Sequence, residues 1–444
     1  MDNTLEFLDQ AAFLRLRATG RGSAVQCTWI YDRAVDVDEL RQFHHHLGHG
    51  LLRRRIERSP LPFGRHRWVQ CDRSPDVDFA RSLRPRGDIG AWVDERTQIP
   101  VDPEFGPGWH LGVLGLEEGG TAVNLVASHC VVDGLGLIIA ITEAVKGENR
   151  EFGYPRAHSR SRVRAVLADG REFVRGLPDV LRALIACILL LLGVARGSDR
   201  PSAPPRRPAP LGDHEITLPT LTMRTDAPSW DARARALGGS SNALFIAFAA
   251  RLAQRMGRVH AGDGAVTVTV PVGERTRDDT RANALTSITF TVDPDGVTAD
   301  LRDVRNKVKH GLTGLQRTPN ELLAPLPLIP LVPKWLARQV EGLVMGSAEL
   351  PVGCSNLGDL DPLVGRIDGR NADEVFMGLA DQRVTSRSIE RAHGQLFLGF
   401  GRINEARFVT VVAYQPGHDN SKGYLRELAQ RTLAEFDLTA TMYH

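Results

Sequence analysis

The chain reads as mixed α/β layers divided into two lobes of similar size, and three observations carry that reading. Its 444 residues predict two or three domains, or one large two-lobed unit. A stretch at 198–213 holds Pro201, Pro204, Pro205, Pro208 and Pro210 together with Arg206 and Arg207; such proline density forbids a helix and favours an extended, fairly stiff connector. Strand and helix patterns mix on both sides of it without strict alternation, and no internal repeat or long heptad run interrupts them, which points to mixed layers. The expected division is therefore 1–197, a linker at 198–213, and 214–444.

Taken in order, 24–30 reads as a strand and 38–52 as a helix with Leu40, Phe43, Leu47 and Leu51 on one face. Two apolar strands, 109–116 and 121–128, flank the loop Glu117-Glu118-Gly119-Gly120, a hairpin signal. Helix 134–145 follows. The run 183–195, ALIACILLLLGVA, is uncharged, but as a helix it reaches only about 20 Å against a hydrocarbon core of about 30 Å. Pro178 and Asp179 look like its start, and Arg182 and Arg196 flank it, so it is expected to pack as a buried or lobe-packing helix, with peripheral membrane contact as the alternative.

Beyond the linker, 240–258 is a long helix with Ser240, Ser241 and Asn242 available as caps, and 265–273 and 285–292 are strands. Helix 300–315 puts Leu301, Val304, Val308, Leu312 and Leu315 on one stripe. The leucine-rich segment 319–345 is broken by five prolines, which predicts short helices with an exposed or cavity-lining face, or buried packing. Strands 395–402 and 407–414 form a hairpin pattern, and 427–436 closes the chain as a helix.

Composition excludes several classes. Hydrophobic residues are 42% and charged residues 24%, ordinary globular usage. Lys and Arg total 55 against 53 Asp and Glu, so no global field draws nucleic acid. The five cysteines, Cys27, Cys71, Cys130, Cys187 and Cys354, are scattered and form no CxxC, which argues against a disulfide framework or structural zinc and fits a reducing cytoplasm. Residues 1–10 carry Asp2, Glu6 and Asp9 without a basic start or apolar stretch, so no secretory signal is expected. His44, His45, His46 and His49 lack a HExxH glutamate and read as a solvated face rather than a metal site. Arg53, Arg54 and Arg55 read as a solvated helix end, with contact to a CoA phosphate or carrier protein as the alternative. Ser355 lacks the second glycine of a GxSxG elbow, so a serine hydrolase is not expected; neither a complete GxGxxG nor Walker A occurs, so nucleotide cofactors have no support.

The strongest signal is Ser128-His129-Cys130-Val131-Val132-Asp133-Gly134, between an apolar strand and an apolar helix. A strand end fixes the imidazole at the sheet edge, while Asp133 and Gly134 turn the chain into the helix. An imidazole with pKa near 6.5 suits deprotonation of a hydroxyl or amine. Cys130 beside it has nothing nearby to lower its pKa and reads as packing. Before it lies Pro107-Gly108-Trp109-His110-Leu111; after it come Val270-Pro271-Val272-Gly273-Glu274-Arg275, Asn283, and Cys354-Ser355-Asn356-Leu357-Gly358.

These pieces, in this order, resemble the condensation-domain-like acyltransferase superfamily with the chloramphenicol acetyltransferase fold, nearest the wax ester synthase/diacylglycerol acyltransferase and polyketide-associated acyltransferase branches. The resemblance runs from Leu5-Glu6-Phe7-Leu8-Asp9 to the final hairpin, with HxxxDG its specific part. It implies two lobes, each a mixed sheet flanked by helices, with an active-site tunnel between them. His129 then matches the catalytic general base, Asp133 a structural carboxylate paired with an arginine best matched by Arg275, and Ser355 and Asn356 an SN piece offering oxyanion or tunnel contacts, although Ser-Asn before Leu-Gly is also ordinary turn chemistry.

The expected reaction is acyl transfer from acyl-CoA or a phosphopantetheinyl carrier to a small-molecule hydroxyl, without an acyl-enzyme, in lipid or natural-product biosynthesis; the thioester is a co-substrate, and no permanent cofactor or metal is expected. Ester formation is favoured over amide formation by the resemblance alone. Amide formation on carrier-bound donors, or binding of an acyl ligand or partner without turnover, are the alternatives. Many relatives carry two histidines where this chain has Ser128 and His129, which puts turnover and acceptor type in question.

Overall fold

The computed structural model describes residues 3–196, 212–317, 323–345 and 350–443. Two mixed sheets flanked by helices organise the chain. The first has five strands in the order Glu374–Gln382, Gly22–Tyr31, Thr121–Ser128, Trp109–Gly115 and Val77–Phe79. Its central strands are buried along nearly their whole length, which requires cover on both faces. Alternation of side chains provides the two faces. Trp29 meets Phe43 of helix Val37–Leu47 on one side, while Gln26 and Thr28 share a pocket with Ile89 and Val93 of helix Ile89–Gln98 on the other.

The second sheet has seven strands: Leu285–Val292, Val266–Gly273, Val352–Asp359, Gln395–Ile403, Ala406–Tyr414, Thr220–Asp226 and Thr441–Tyr443. Val266–Gly273, Val352–Asp359 and Gln395–Ile403 run parallel; the remaining pairs are antiparallel. Helix Ser241–Arg255, capped by the Ser240 hydroxyl, buries nearly every apolar side chain against this sheet.

One strand crosses between the halves. Glu374–Gln382 pairs antiparallel with Gly22–Tyr31, with Gly22 opposite Gln382 and Ile30 opposite Glu374, so the first sheet takes its edge from the far end of the sequence. The same strand leans on the second sheet: Thr410 Oγ1 donates to the Met377 carbonyl at 2.9 Å, and the Phe376 ring lies 4.9 Å from that of Tyr443. No periodicity in the sequence signals this exchange.

Several sequence-derived elements need correction. The helix expected at 427–436 runs over Lys422–Ala434 and does not close the chain, since strand Thr441–Tyr443 follows it. The helix expected over 38–52 ends at Leu47, where Gly48 and Gly50 intervene, and residues Gly50–Arg53 form a 3-10 turn, Gly50 with φ of 60°. The apolar run 183–195 does not begin a helix at Pro178. It is the end of a 35-residue helix, Arg162–Arg196, with Pro178 inside; proline's lost N–H and ring clash normally break a helix, but here the chain continues through it. Nor is its described part, 183–189, buried as a whole: Ala183 turns inward, but Leu184, Ile185, Ile188 and Leu189 are exposed. The connector lies outside the described residues as far as 211, as do 318–322; the rest of the proline-broken segment forms a 3-10 turn, Leu326–Leu331, and helix Lys334–Met345, and no side chain of that turn is fully buried.

His110, on the strand Trp109–Gly115, is buried, and its Nδ1 lies 2.9 Å from an Arg96 amino nitrogen. Burial, and then the Arg96 charge, push its pKa down to about 4. An unfolded imidazole titrates near pH 6.5, so the unfolded chain takes the proton first. Stability is therefore full above about pH 6.5 and falls as pH drops toward about 4. His66, also pushed down to about 4 by burial, acts in the same window. Urea unfolding at about pH 7.5 and about pH 4.5 should show a smaller loss for His110→Gln than for wild type; equal losses would remove His110 as a source of acid sensitivity.

Candidate active site

Strand Thr121–Ser128 ends at the sheet edge, and the motif turns there. The Ser128 carbonyl accepts from Val131 N at 2.8 Å and Val132 N at 3.1 Å, while its hydroxyl accepts from Cys130 N at 3.3 Å. His129 is pinned through its backbone on both sides: its N–H donates to the Ser23 carbonyl at 2.8 Å, and its carbonyl accepts from Asn283 Nδ2 at 3.1 Å. His129, half-buried, lines a cavity of about 150 Å³ that gathers residues from both halves of the chain.

Asp133 ends the turn as the N-cap of helix Gly134–Val145. Its Oδ1 accepts from Gly136 N at 2.7 Å and Arg275 Nε at 3.0 Å; its Oδ2 accepts from an Arg275 amino group at 2.9 Å and Ala284 N at 3.0 Å. The bidentate guanidinium also donates to the carbonyls of Arg281 at 3.0 Å and Ala282 at 2.8 Å. Both side chains are almost wholly out of water, with 1% of Arg275 and 7% of Asp133 exposed. Asp133 is thus fully occupied in fastening the first half to the second, and none of its bonds reaches the His129 ring.

Small residues let the parts approach. A Cβ on Gly136 would stand 2.7 Å from Val132 and 3.2 Å from the Arg275 guanidinium carbon, one on Gly134 2.9 Å from Leu357, and one on Gly273 2.4 Å from Leu135. The contacts with Val132, Leu357 and Leu135 fall below 3.0 Å, where a neighbour must shift, and the one with Arg275 is tight. The HxxxDG helix therefore seats directly on the strands that carry Gly273 and Leu357.

Two further residues hold the site, and sequence reading gave neither that role. Asp9, buried on helix Phe7–Thr19, accepts from Ala282 N and Asn283 N, each at 2.8 Å, and from Asn283 Nδ2 at 3.1 Å; burial pushes its carboxyl up despite these donors. Arg54 corrects the reading of 53–55 as a solvated helix end. It is completely buried over the Trp68 ring, donating to the carbonyls of Val131 at 2.7 Å, Arg281 at 3.4 Å and Thr280. Arg53 and Arg55 are half-exposed, beside Glu151 and the Glu104 carbonyl. A buried charge spent on carbonyls looks no different in sequence from a surface arginine.

Across the cavity, Ser355 and Asn356 lie within strand Val352–Asp359 rather than in a turn. Asn356 is engaged at both ends of its amide, donating to Asn242 Oδ1 at 2.9 Å and accepting from Gly358 N at 2.8 Å. Val25, Leu135, Leu285, Met377, Leu379 and Phe397 make the remaining wall largely apolar. Cys130 is buried, which pushes its thiol up to about 12, so it is no nucleophile at neutral pH. Gly108 and Trp109 stay outside this cavity: the Gly108 carbonyl accepts from Ser128 N at 2.8 Å, and the Trp109 ring packs near His44. His45 and His49 lie ring to ring at 5.2 Å on a distant helix end.

No family model matches the chain, and no curated protein does. Solved structures match over nearly its whole length. The wax ester synthase/diacylglycerol acyltransferase from Marinobacter aquaeolei VT8 is 17% identical, with 98% of each chain covered and a TM-score of 0.55. Polyketide synthase associated protein 5 from Mycobacterium tuberculosis is 15% identical over 97% of this chain and 96% of its own, at 0.52. The starter condensation domain of rhizomide synthetase, solved in complex with C8-CoA, is 14% identical over 99% and 95%, at 0.56. At such identities the fold is what is shared: this chain has the two-lobed condensation-domain architecture.

Removing one member of the buried pair strands the other. Arg275→Met should cost about 3–5 kcal/mol in urea unfolding, whereas the double change Asp133→Asn with Arg275→Met should recover part of the loss. Additive single effects would mean that the two groups do not act as a unit.

Proposed function

We propose that the chain is an acyltransferase that moves an acyl group from a thioester, acyl-CoA or an acyl carrier protein, to an acceptor hydroxyl, with His129 as general base. The observation that carries this reading is that His129, its backbone bonded on both sides, lines a largely apolar cavity together with Ser355. The condensation-domain fold supports it, since the solved structures that share that fold include one named as an acyltransferase and one solved with C8-CoA. In this reading the cavity belongs to a passage between the lobes, with the thioester entering from one end and the acceptor from the other.

The steps follow from the groups available. The acceptor hydroxyl gives its proton to the neutral imidazole as its oxygen attacks the thioester carbonyl, forming a tetrahedral intermediate. The Ser355 hydroxyl donates to the oxyanion; it is preferred over Asn356, whose amide is already tied to Asn242 and Gly358. Collapse breaks the C–S bond, and the imidazolium returns the proton to the departing thiolate, so that ester and free thiol leave without an acyl-enzyme. Asp133 does not relay charge to the ring, because its four hydrogen bonds go elsewhere. General-base help is worth about 10²- to 10⁴-fold and one oxyanion donor about 10²- to 10³-fold; the remainder falls to positioning.

Ester formation is preferred to amide formation through the likeness to the wax ester synthase fold. Val25, Leu135, Met377 and Phe397 around the base suit an acyl chain rather than a polar donor. The test is free-thiol release from short, medium and long acyl-CoAs with pooled alcohols and amines, products identified by mass. Acceptor-dependent release should fall about 10²- to 10⁴-fold in His129→Ala, and kcat about 10²- to 10³-fold in Ser355→Ala with KM little changed. Equal release from wild type and His129→Ala would exclude the base. No release from any CoA would direct the assay to carrier-bound donors, and failure there would leave a protein that binds acyl ligands without turnover.

A further inference from the structure

Helix Arg162–Arg196 separates its residues into three faces. Inward lie Ala165 and Ala183, Phe173 with its ring 4.7 Å from that of Phe63, and the acidic side chains Asp169, paired with Arg160 at 2.8 Å, and Glu172, paired with Arg65 at 3.4 Å. Outward, Val163, Leu167, Val174, Leu181, Ile185 and Leu189 are each 58–70% exposed. At about 100° per residue these six fall within one sector of roughly 80°. A row of exposed arginines, Arg164, Arg171, Arg175 and Arg182, runs alongside at the same spacing; among them only Arg182 has a helical carboxylate partner, Asp179 at 2.9 Å.

Such a stripe is unusual on a soluble surface, where large aliphatics are scattered singly. The turn Leu326–Leu331 packs against the helix, and along the chain it is followed by Lys334 and the 62% exposed Trp335. Among the described residues no single helix is long and apolar enough to cross a membrane. We propose that this helix lies in the plane of an anionic lipid surface, its aliphatic stripe in the acyl boundary and its arginine row on the headgroup phosphates.

The arginines choose this occupant over a second copy of the chain. Two copies meeting antiparallel on the stripe would bring two arginine rows together, and Asp179 is the one acidic side chain that the described helix carries away from its inward face. Lipid phosphates supply the missing charge, and the arginine stems lie along apolar surface while the guanidinium heads reach out to the headgroups.

The inference does not depend on catalysis, so its test is binding. The full chain is sedimented with vesicles of phosphatidylcholine alone and of phosphatidylcholine mixed with phosphatidylglycerol, at low and high salt. Wild type should bind the anionic vesicles, with binding that weakens as salt rises. The double variants Leu181→Glu with Ile185→Glu, and Arg171→Gln with Arg175→Gln, should each lower partitioning roughly tenfold or more. All four side chains point outward, and circular dichroism and urea unfolding check that both variants keep the wild-type fold. Wild type that stays in the supernatant, or folded variants that bind as well as wild type, would overturn the proposal. So would a concentration-dependent dimer in sedimentation equilibrium that Leu181→Glu with Ile185→Glu dissociates, since a second copy would then be the occupant.

Discussion

A carboxylate and a guanidinium withdrawn from water at the join between the two halves set the geometry of everything nearby. Taking both ions out of solvent is costly, and a well-packed apolar pair could replace them at no loss of stability. Their worth lies in direction. Asp133 can satisfy its four acceptor bonds only when the helix start at Gly136, the segment 282–284 and Arg275 stand in one arrangement. A shifted lobe would leave a buried charge without partners. The pair thus converts a loose contact between layers into a single register, and the imidazole four residues earlier inherits it. Asp9 and Arg54 repeat the device on either side, each tying the 280–283 segment to the first half.

Local pattern made much of this legible. The strands on either side of the 117–120 loop, the helix after Gly134, the paired strands 266–273 and 285–292, and the final hairpin follow from alternation and apolar runs, because each is decided by neighbours in sequence. Long-range facts were not legible in this way. Asp9 sits in an ordinary first turn and Arg54 in a basic triplet, and only tertiary packing shows that both are buried. Pro178 was misread because proline is a good first residue of a helix, and sequence does not show that the preceding turns already carry the chain into it. Exposure of the run that follows was missed for a related reason: hydrophobicity reports what a segment can bury, not whether a partner is present.

Ser128 can be weighed the same way. Its buried hydroxyl closes the turn onto Cys130 N, so the loop that presents His129 is complete without a second imidazole. The His129 backbone is held instead by Ser23 and Asn283, neither of which depends on the side chain at position 128.

The strand exchanged between the sheets also orders events in time. Gly22–Tyr31 emerges from the ribosome before its edge partner, Glu374–Gln382, which follows roughly 340 residues later, about 17 to 70 s at 5–20 residues per second. For that interval one edge of a nearly all-buried strand offers unpaired N–H and C=O groups and apolar side chains to any other nascent chain. Completion of this sheet therefore waits on the synthesis of strand Glu374–Gln382, and until then that edge must be shielded by something other than its native partner.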